Sequence, residues 1–103
     1  MAKRAFPKVL ARVAGETLIC VNGREALTLL TLVERGAKGV TGIDFPGGPA
    51  YRLAAYVGDL RGFGVGIHTE MEPHGIGHHG RYTLTTPVEI VAVDRGENVG
   101  RAA

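Results

Sequence analysis

The sequence predicts an α+β domain: one or two N-terminal strands, three helices of which the second is very short, and a C-terminal β-hairpin. Three observations carry this. "REALTLLTLVERG" repeats its apolar residues with the period of a helix. "VGIHTEM" and "RYTLTTPVEIVAV" alternate apolar and polar residues as half-buried strands do. Breaks rich in glycine and proline, "DFPGG" and "GFG", separate the helical runs from the extended ones.

The chain has 103 residues, room for one domain with a modest core. That domain is expected at 8–93, after a flexible basic arm at 1–7 and before a polar, disordered tail at 94–103. Apolar residues at 45% and charged residues at 21% fit a soluble globular protein. The net charge of +2 is unevenly spread, because Lys3, Arg4, Lys8 and Arg12 all precede the first acid, Glu16. Such an arm can bind nucleic acid, or it can be a solvated tail. The single cysteine, Cys20, excludes an internal disulfide, and its apolar run "TLICV" suits a small buried hydrophobe. With no secretory h-region and no long apolar segment, a cytoplasmic protein without membrane contact is expected.

Each element has its own local reason. "KVLARV" (Lys8–Val13) and "TLICV" (17–21) are β-prone runs separated by "AGE", the pattern of a hairpin. Asn22 opens the first helix, and Glu25 three residues later gives the spacing of a capping box. Ala26, Leu29, Leu30 and Val33 share one face with Leu27 at its flank, and Gly36 can take the positive φ that ends a helix. Thr41 can cap a second helix of about one turn through Asp44, before Pro46-Gly47-Gly48 break it. Pro49, with Gly48 as its cap, suits the first position of the third helix. There Leu53, Val57 and Leu60 form the buried stripe, Tyr56 lies beside it, and Gly62 and Gly64 end it. Tyr51, Arg52, Ala55, Gly58 and Asp59 make the opposite face. Val65, Ile67, Thr69 and Met71 then alternate as a strand. Residues 81–93 read as one returning strand with Tyr82 and Leu84 inward and Pro87 at an edge or bulge.

Strands, helix, short helix, helix and hairpin in that order make the winged helix-turn-helix plan. In it the third helix enters the DNA major groove and the hairpin, the wing, lies along the backbone or minor groove. The stretch "ERGAKGVTGIDFPGGPAYRLAAYVGDLRGFGVGIHTE…GRYTL" resembles the small winged helix-turn-helix domains of bacterial genomes, their phages and prophages. The shared marks are "GVT" before the second helix, "RLAAYVGDLR" in the third, "G-I-x-T-E" in the first wing strand and "RY-x-L" in the second. "VNGREALTLL" looks like the opening of a closer subgroup. The likeness runs from residue 17 to about residue 91, and "DFPGGP" departs from it where a more regular second helix would stand. It implies a DNA-binding fold, such as an accessory protein or transcriptional regulator, with no catalytic residue and no cofactor.

Double-stranded DNA is held largely through phosphate contacts by lysine and arginine. Lys3, Arg4, Lys8, Lys38, Arg61 and Arg81 are the candidates, with Arg24 and Arg35 also available. On the third helix Arg52 can read guanine O6 and N7, Tyr51 can reach a phosphate or a thymine methyl, and Ala55 and Gly58 allow close approach. Asp59 is unfavourable there unless it pairs with an arginine or accepts from cytosine. His74, His78 and His79 gather at the wing tip. They gain charge as pH falls, which predicts tighter binding near about pH 6 than near about pH 8.

Two alternatives stand beside this. A winged domain can serve instead as a protein-interaction or self-association module, since fold alone does not fix function. A homodimer can form through an exposed edge strand at Lys8–Val13 or 88–93. The other alternative, an enzyme, rests on the four histidines and two glutamates of 66–84, "GIHTEMEPHGIGHHGRYTL". Zinc catalysis needs three protein ligands and an open position. His74, His78, His79 and Glu72 supply such atoms, but not at the H-E-x-x-H spacing that puts two imidazoles on one helix face. Gly75, Gly77 and Gly80 leave them without pre-organisation. No nucleophilic triad and no "GxxxxGK" phosphate loop is present. The sequence therefore predicts no enzyme, no metal, no cofactor and no small-molecule substrate.

Overall fold

The computed structural model describes residues 7–43, 45, 52–74 and 77–94. Their order is β1 (Lys8–Val13), β2 (Thr17–Asn22), α1 (Gly23–Arg35), a 3-10 turn (Gly36–Lys38), β3 (Val40–Thr41), α2 (Leu53–Gly62), β4 (Ile67–His74), β5 (Gly77–Leu84) and β6 (Val88–Asp94). Lys3, Arg4 and the rest of the basic arm before Pro7, Tyr51, and the tail from residue 95 lie outside the described residues.

The strands form two antiparallel sheets, β2-β1-β6 and β3-β5-β4. The β1–β2 hairpin is the expected one, with Lys8 opposite Asn22 and Val13 opposite Thr17. Its turn places Ala14 at φ +55 and Gly15 at φ +75. The expected single strand at 81–93 is two strands in two sheets. β5 ends at Leu84, and β6 crosses to pair with β1. Pro87 stands at that crossing because it cannot donate to a ladder. Its carbonyl accepts from Ala14 N at 2.8 Å, and Thr86 Oγ1 accepts from Gly66 N at 3.0 Å. The crossing is thus fastened to both sheets. β1 is consequently the central strand of its sheet, so Lys8–Val13 is not the exposed edge it was expected to be. β6 is one.

Among the described residues there are two α-helices and one 3-10 turn, not three helices. Thr41 does not cap a short helix. It is buried in β3 opposite Arg81, and its hydroxyl accepts from Ile43 N at 3.2 Å. Asp44, and 46–51, which include the predicted start of the third helix at Pro49, lie outside the described residues. Asn22 holds the N-cap position of α1 with extended backbone, but its side chain makes no capping bond. The chain turns instead through Gly23 at φ +70, whose N–H donates to the Pro7 carbonyl at 3.2 Å. Gly36 ends α1 at φ +56, as expected.

The core lies where α1 and α2 pack on each other and on the inner faces of the sheets. Leu29, Leu32, Val57, Leu60, Val9 and Val40 have no exposed surface. Burying each such side chain contributes about 1.5–3 kcal/mol. The α2 stripe Leu53, Val57 and Leu60 is buried as its spacing predicts, with Tyr56 beside it. The α1 stripe is shifted: Thr28, Thr31 and Leu32 are buried, while Leu30 and Val33 are half-buried. Threonine can enter because its hydroxyl bonds the carbonyl four residues back, Thr28 to Arg24 and Thr31 to Leu27, each at 2.8 Å. Cys20 is not a core residue. It is exposed on the outer face of β2, between the inward Ile19 and Val21. No described helix is long and apolar enough to cross a membrane.

Candidate nucleic-acid interface

α2 and the β4–β5 hairpin meet at Arg61. Its position in the last turn of α2 follows from the helix stripe, which turns Leu60 inward and leaves Arg61 exposed. Arg61 Nη2 donates to the Ile67 carbonyl at 2.7 Å and to Thr69 Oγ1 at 3.0 Å. Both acceptors belong to β4. An arginine presents five N–H donors in a planar fork, so these bonds leave the Nε and Nη1 donors outside them. At the other end of α2, Arg52 is exposed and its guanidinium lies 5.5 Å from the centroid of the Tyr56 ring, a cation–π distance. Ala55, expected on the solvent face, is half-buried, whereas Ala54, Gly58 and Asp59 are exposed.

The hairpin is longer than its sequence suggests. β4 runs through His74 and β5 starts at Gly77, so His74, His78 and His79 are strand residues, and only 75–76 lie between the strands. The backbones of His74 and His78 are described and their side chains are not. In the register Glu72 faces His79 and Glu70 faces Arg81. Cross-strand partners share a face, so His68, Glu70, Glu72, His79 and Arg81 lie on one side of the hairpin. Ile67, Tyr82 and Leu84 lie on the other, packed against the core.

Glu72 is the centre of that polar face. Its Oε2 accepts from Arg81 Nε at 2.6 Å, and its Oε1 lies 3.2 Å from His79 Nε2. The hydrogen bond from Arg81 holds the Glu72 carboxyl below the ordinary glutamate range. Partial burial opposes this, and His79 together with the Arg81 charge adds to it. Arg81 Nη1 also donates to the Lys38 carbonyl at 2.9 Å, which ties the hairpin to the turn after α1. Arg81 is therefore half-buried and engaged on both sides. Lys38 is exposed beside it, and Arg35 Nη1 donates to the Gly39 carbonyl at 3.2 Å. His68 and Glu70, both exposed, lie 3.9 Å apart.

Of the residues singled out from sequence, Lys38 and Arg81 come together at the base of the hairpin, and Arg61 joins it from α2. Lys8 is exposed on β1 in the other sheet. Sequence reasoning missed Thr69 and the Ile67 carbonyl as anchors for Arg61, and it treated Glu72 only as a metal ligand. One signal was available. Two antiparallel strands with only 75–76 between them put Glu72 opposite His79 and Glu70 opposite Arg81. Among the described residues no three His, Cys, Asp or Glu side chains are grouped as metal ligands.

A family model described as a winged helix domain matches residues 18–94. No curated protein and no solved structure matches the chain.

Proposed function

This chain belongs to the winged helix domain family, and from that premise we propose that it binds double-stranded DNA, with α2 in the major groove and the β4–β5 wing along the adjoining backbone. The observation that carries the reading is Arg61. Its exposed guanidinium sits at the junction of α2 and β4, pinned to both elements and still holding spare donors. A phosphate lying between helix and wing would meet a cation already fixed in place, so little side-chain freedom is lost on binding.

The other proposed contacts take their roles from position. Lys38, Lys8, Lys3 and Arg4 are proposed as phosphate ligands, and Arg52, which caps the start of α2, together with Tyr51 as readers of base edges. Ala55 and Gly58 keep α2 slim. Arg81 acts through the fold, by holding the wing to the Lys38 turn, and not as a free phosphate ligand. His74, His78 and His79, on the same hairpin, are the wing's further proposed contacts. The biological role proposed is that of an accessory protein or transcriptional regulator of the phage or prophage type.

The test is a titration of labelled random-sequence duplex DNA at two salt concentrations. Binding through several phosphates gives an affinity that falls steeply with salt. No binding at low salt would sink the proposal.

A second reading, a protein-interaction or self-association module, draws on a different surface. The outer side of the β2-β1-β6 sheet exposes Leu18 and Cys20, and β6 exposes Val91 and Val93 on an open edge. A monomer by sedimentation equilibrium would count against self-association there.

A further inference from the structure

The β4–β5 hairpin outruns the core, and its two faces differ. One carries His68, Glu70, Glu72, His79 and Arg81. The other begins at the core with Ile67 opposite Leu84, continues with Thr69 opposite Tyr82, and reaches Met71 opposite Gly80. Ile67 is 7% exposed, whereas Met71, on the same face, is 61% exposed. No large apolar side chain among the described residues is more exposed than Met71.

A single exposed apolar side chain is common, but this one has a particular setting. Its cross-strand partner, Gly80, has no side chain to cover it. The room above Gly80 is closed by other neighbours, since a Cβ there would stand 3.2 Å from Thr69 Cγ2 and 3.3 Å from the end of the Tyr82 ring. A fixed cation lies on the same face: Arg61 Nη2 is bonded to Thr69 Oγ1, one step before Met71 on this side of β4. The nearby carboxylates point elsewhere. Glu70 and Glu72 belong to the opposite face of the hairpin. Asp59, two residues from Arg61, turns to the other side of α2, into a groove shared with Glu25. The Met71 face is therefore the one that a phosphate backbone can approach without meeting a carboxylate among the described residues.

Distance then says what Met71 meets. Two residues of strand are roughly 7 Å long, and the minor groove of B-DNA is roughly 6 Å wide. With a phosphate at Arg61 and α2 in the major groove, Met71 comes to the sugar wall of the adjoining minor groove. Deoxyribose edges offer the apolar surface that a thioether lacks in water, and an unbranched methionine adapts to an irregular wall.

We propose that the wing meets duplex DNA by its Met71 face, with Met71 packed against deoxyribose in the minor groove. This rests on the DNA reading above and narrows it, since His79, paired with Glu72, stands on the far face.

The test uses the full chain and a labelled random-sequence duplex at low salt and roughly pH 8, where an ordinary imidazole is neutral. Met71→Glu and His68→Glu each add one negative charge to β4, on opposite faces. Both positions are exposed, so neither change enters the core. Met71→Glu should weaken binding roughly tenfold or more, and His68→Glu roughly threefold or less, because the far-side charge is screened across the hairpin. Met71→Ala, which removes only apolar surface, should weaken binding roughly fivefold and leave the salt slope unchanged. The minor-groove ligand netropsin, bound to an A·T-rich duplex, should weaken the wild type more than Met71→Ala. Equal losses in Met71→Glu and His68→Glu, or wild-type affinity in Met71→Ala, overturn the proposal and leave DNA binding standing. No binding by the wild type at low salt overturns both.

Discussion

Arg61, in the last turn of α2, donates a 2.7 Å hydrogen bond to the carbonyl of Ile67, at the root of the wing. The same nitrogen reaches Thr69 Oγ1 at 3.0 Å. One side chain therefore sets the wing against the helix and offers charge at their junction. Alanine at Arg61 should lower duplex affinity and reduce the salt slope by about one ion equivalent. Lysine should restore the slope but not the full affinity, because an ammonium lacks the fork that serves β4 and a phosphate together. Fluorescence anisotropy across a salt series measures both. A slope unchanged in Arg61→Ala would remove this residue from the phosphate contacts.

The Glu72 carboxylate links Arg81 and His79 across the hairpin, and its lowered pKa fixes the sign of an acid effect. A carboxyl whose pKa is lower folded than unfolded adds stability above its unfolded value. That stability is lost as pH falls from the ordinary glutamate range through the lowered folded value. The wing should therefore loosen in acid, and Glu72→Gln should remove that part of the acid sensitivity while weakening the wing at neutral pH. Amide hydrogen exchange of β4 and β5 at a series of acidic pH values checks it. Identical acid profiles for wild type and Glu72→Gln would refute the coupling.

What could be read in advance was local. The α2 stripe Leu53, Val57 and Leu60 was legible because helix period alone decides which side is buried. The β1–β2 hairpin and the inward Tyr82 and Leu84 were legible from alternation. Cys20 was not, because in "TLICV" four of the five residues are apolar and the run does not reveal which alternate set faces in. The split of 81–93 into two sheets was hidden for a similar reason. Pro87 marks a break in a ladder, but only the long-range pairing of β6 with β1 decides that the chain leaves its sheet. Thr28 and Thr31 looked polar, and their burial depends on hydroxyls satisfied by their own helix. Arg61 was singled out for its charge, while its fixed position depends on Thr69 and a backbone carbonyl that no composition reveals.

Gly39 occupies the tightest place at the base of the wing. It has φ +69, and a Cβ there would lie 2.6 Å from the Tyr82 carbonyl oxygen and 2.6 Å from Thr83 Cγ2. The obstacles include β5 backbone, which cannot step aside as a flexible side chain does. Gly39→Ala combines a strained dihedral with a clash, so a loss of about 3 kcal/mol or more is expected. Urea denaturation followed by circular dichroism measures it. A loss under about 1 kcal/mol would mean that β3 and β5 separate easily.

Ala14 offers the opposite case. It is the one non-glycine with positive φ among the described residues, at +55 in the β1–β2 turn, beside Gly15 at +75. An L-residue there brings its Cβ too close to the backbone, at about 1–2 kcal/mol. The Ala14 N–H is bonded to the Pro87 carbonyl at 2.8 Å, so the crossing to β6 holds the turn in this shape. Glycine relieves the strain and keeps the bond, but it adds freedom to the unfolded chain. The balance should be a gain of about 0.5–1 kcal/mol for Ala14→Gly, read as a higher denaturation midpoint with unchanged slope. Ala14→Val should do the reverse, since a β-branched side chain tolerates positive φ least. If neither variant moves the midpoint, the strain assigned to this turn is absent in solution.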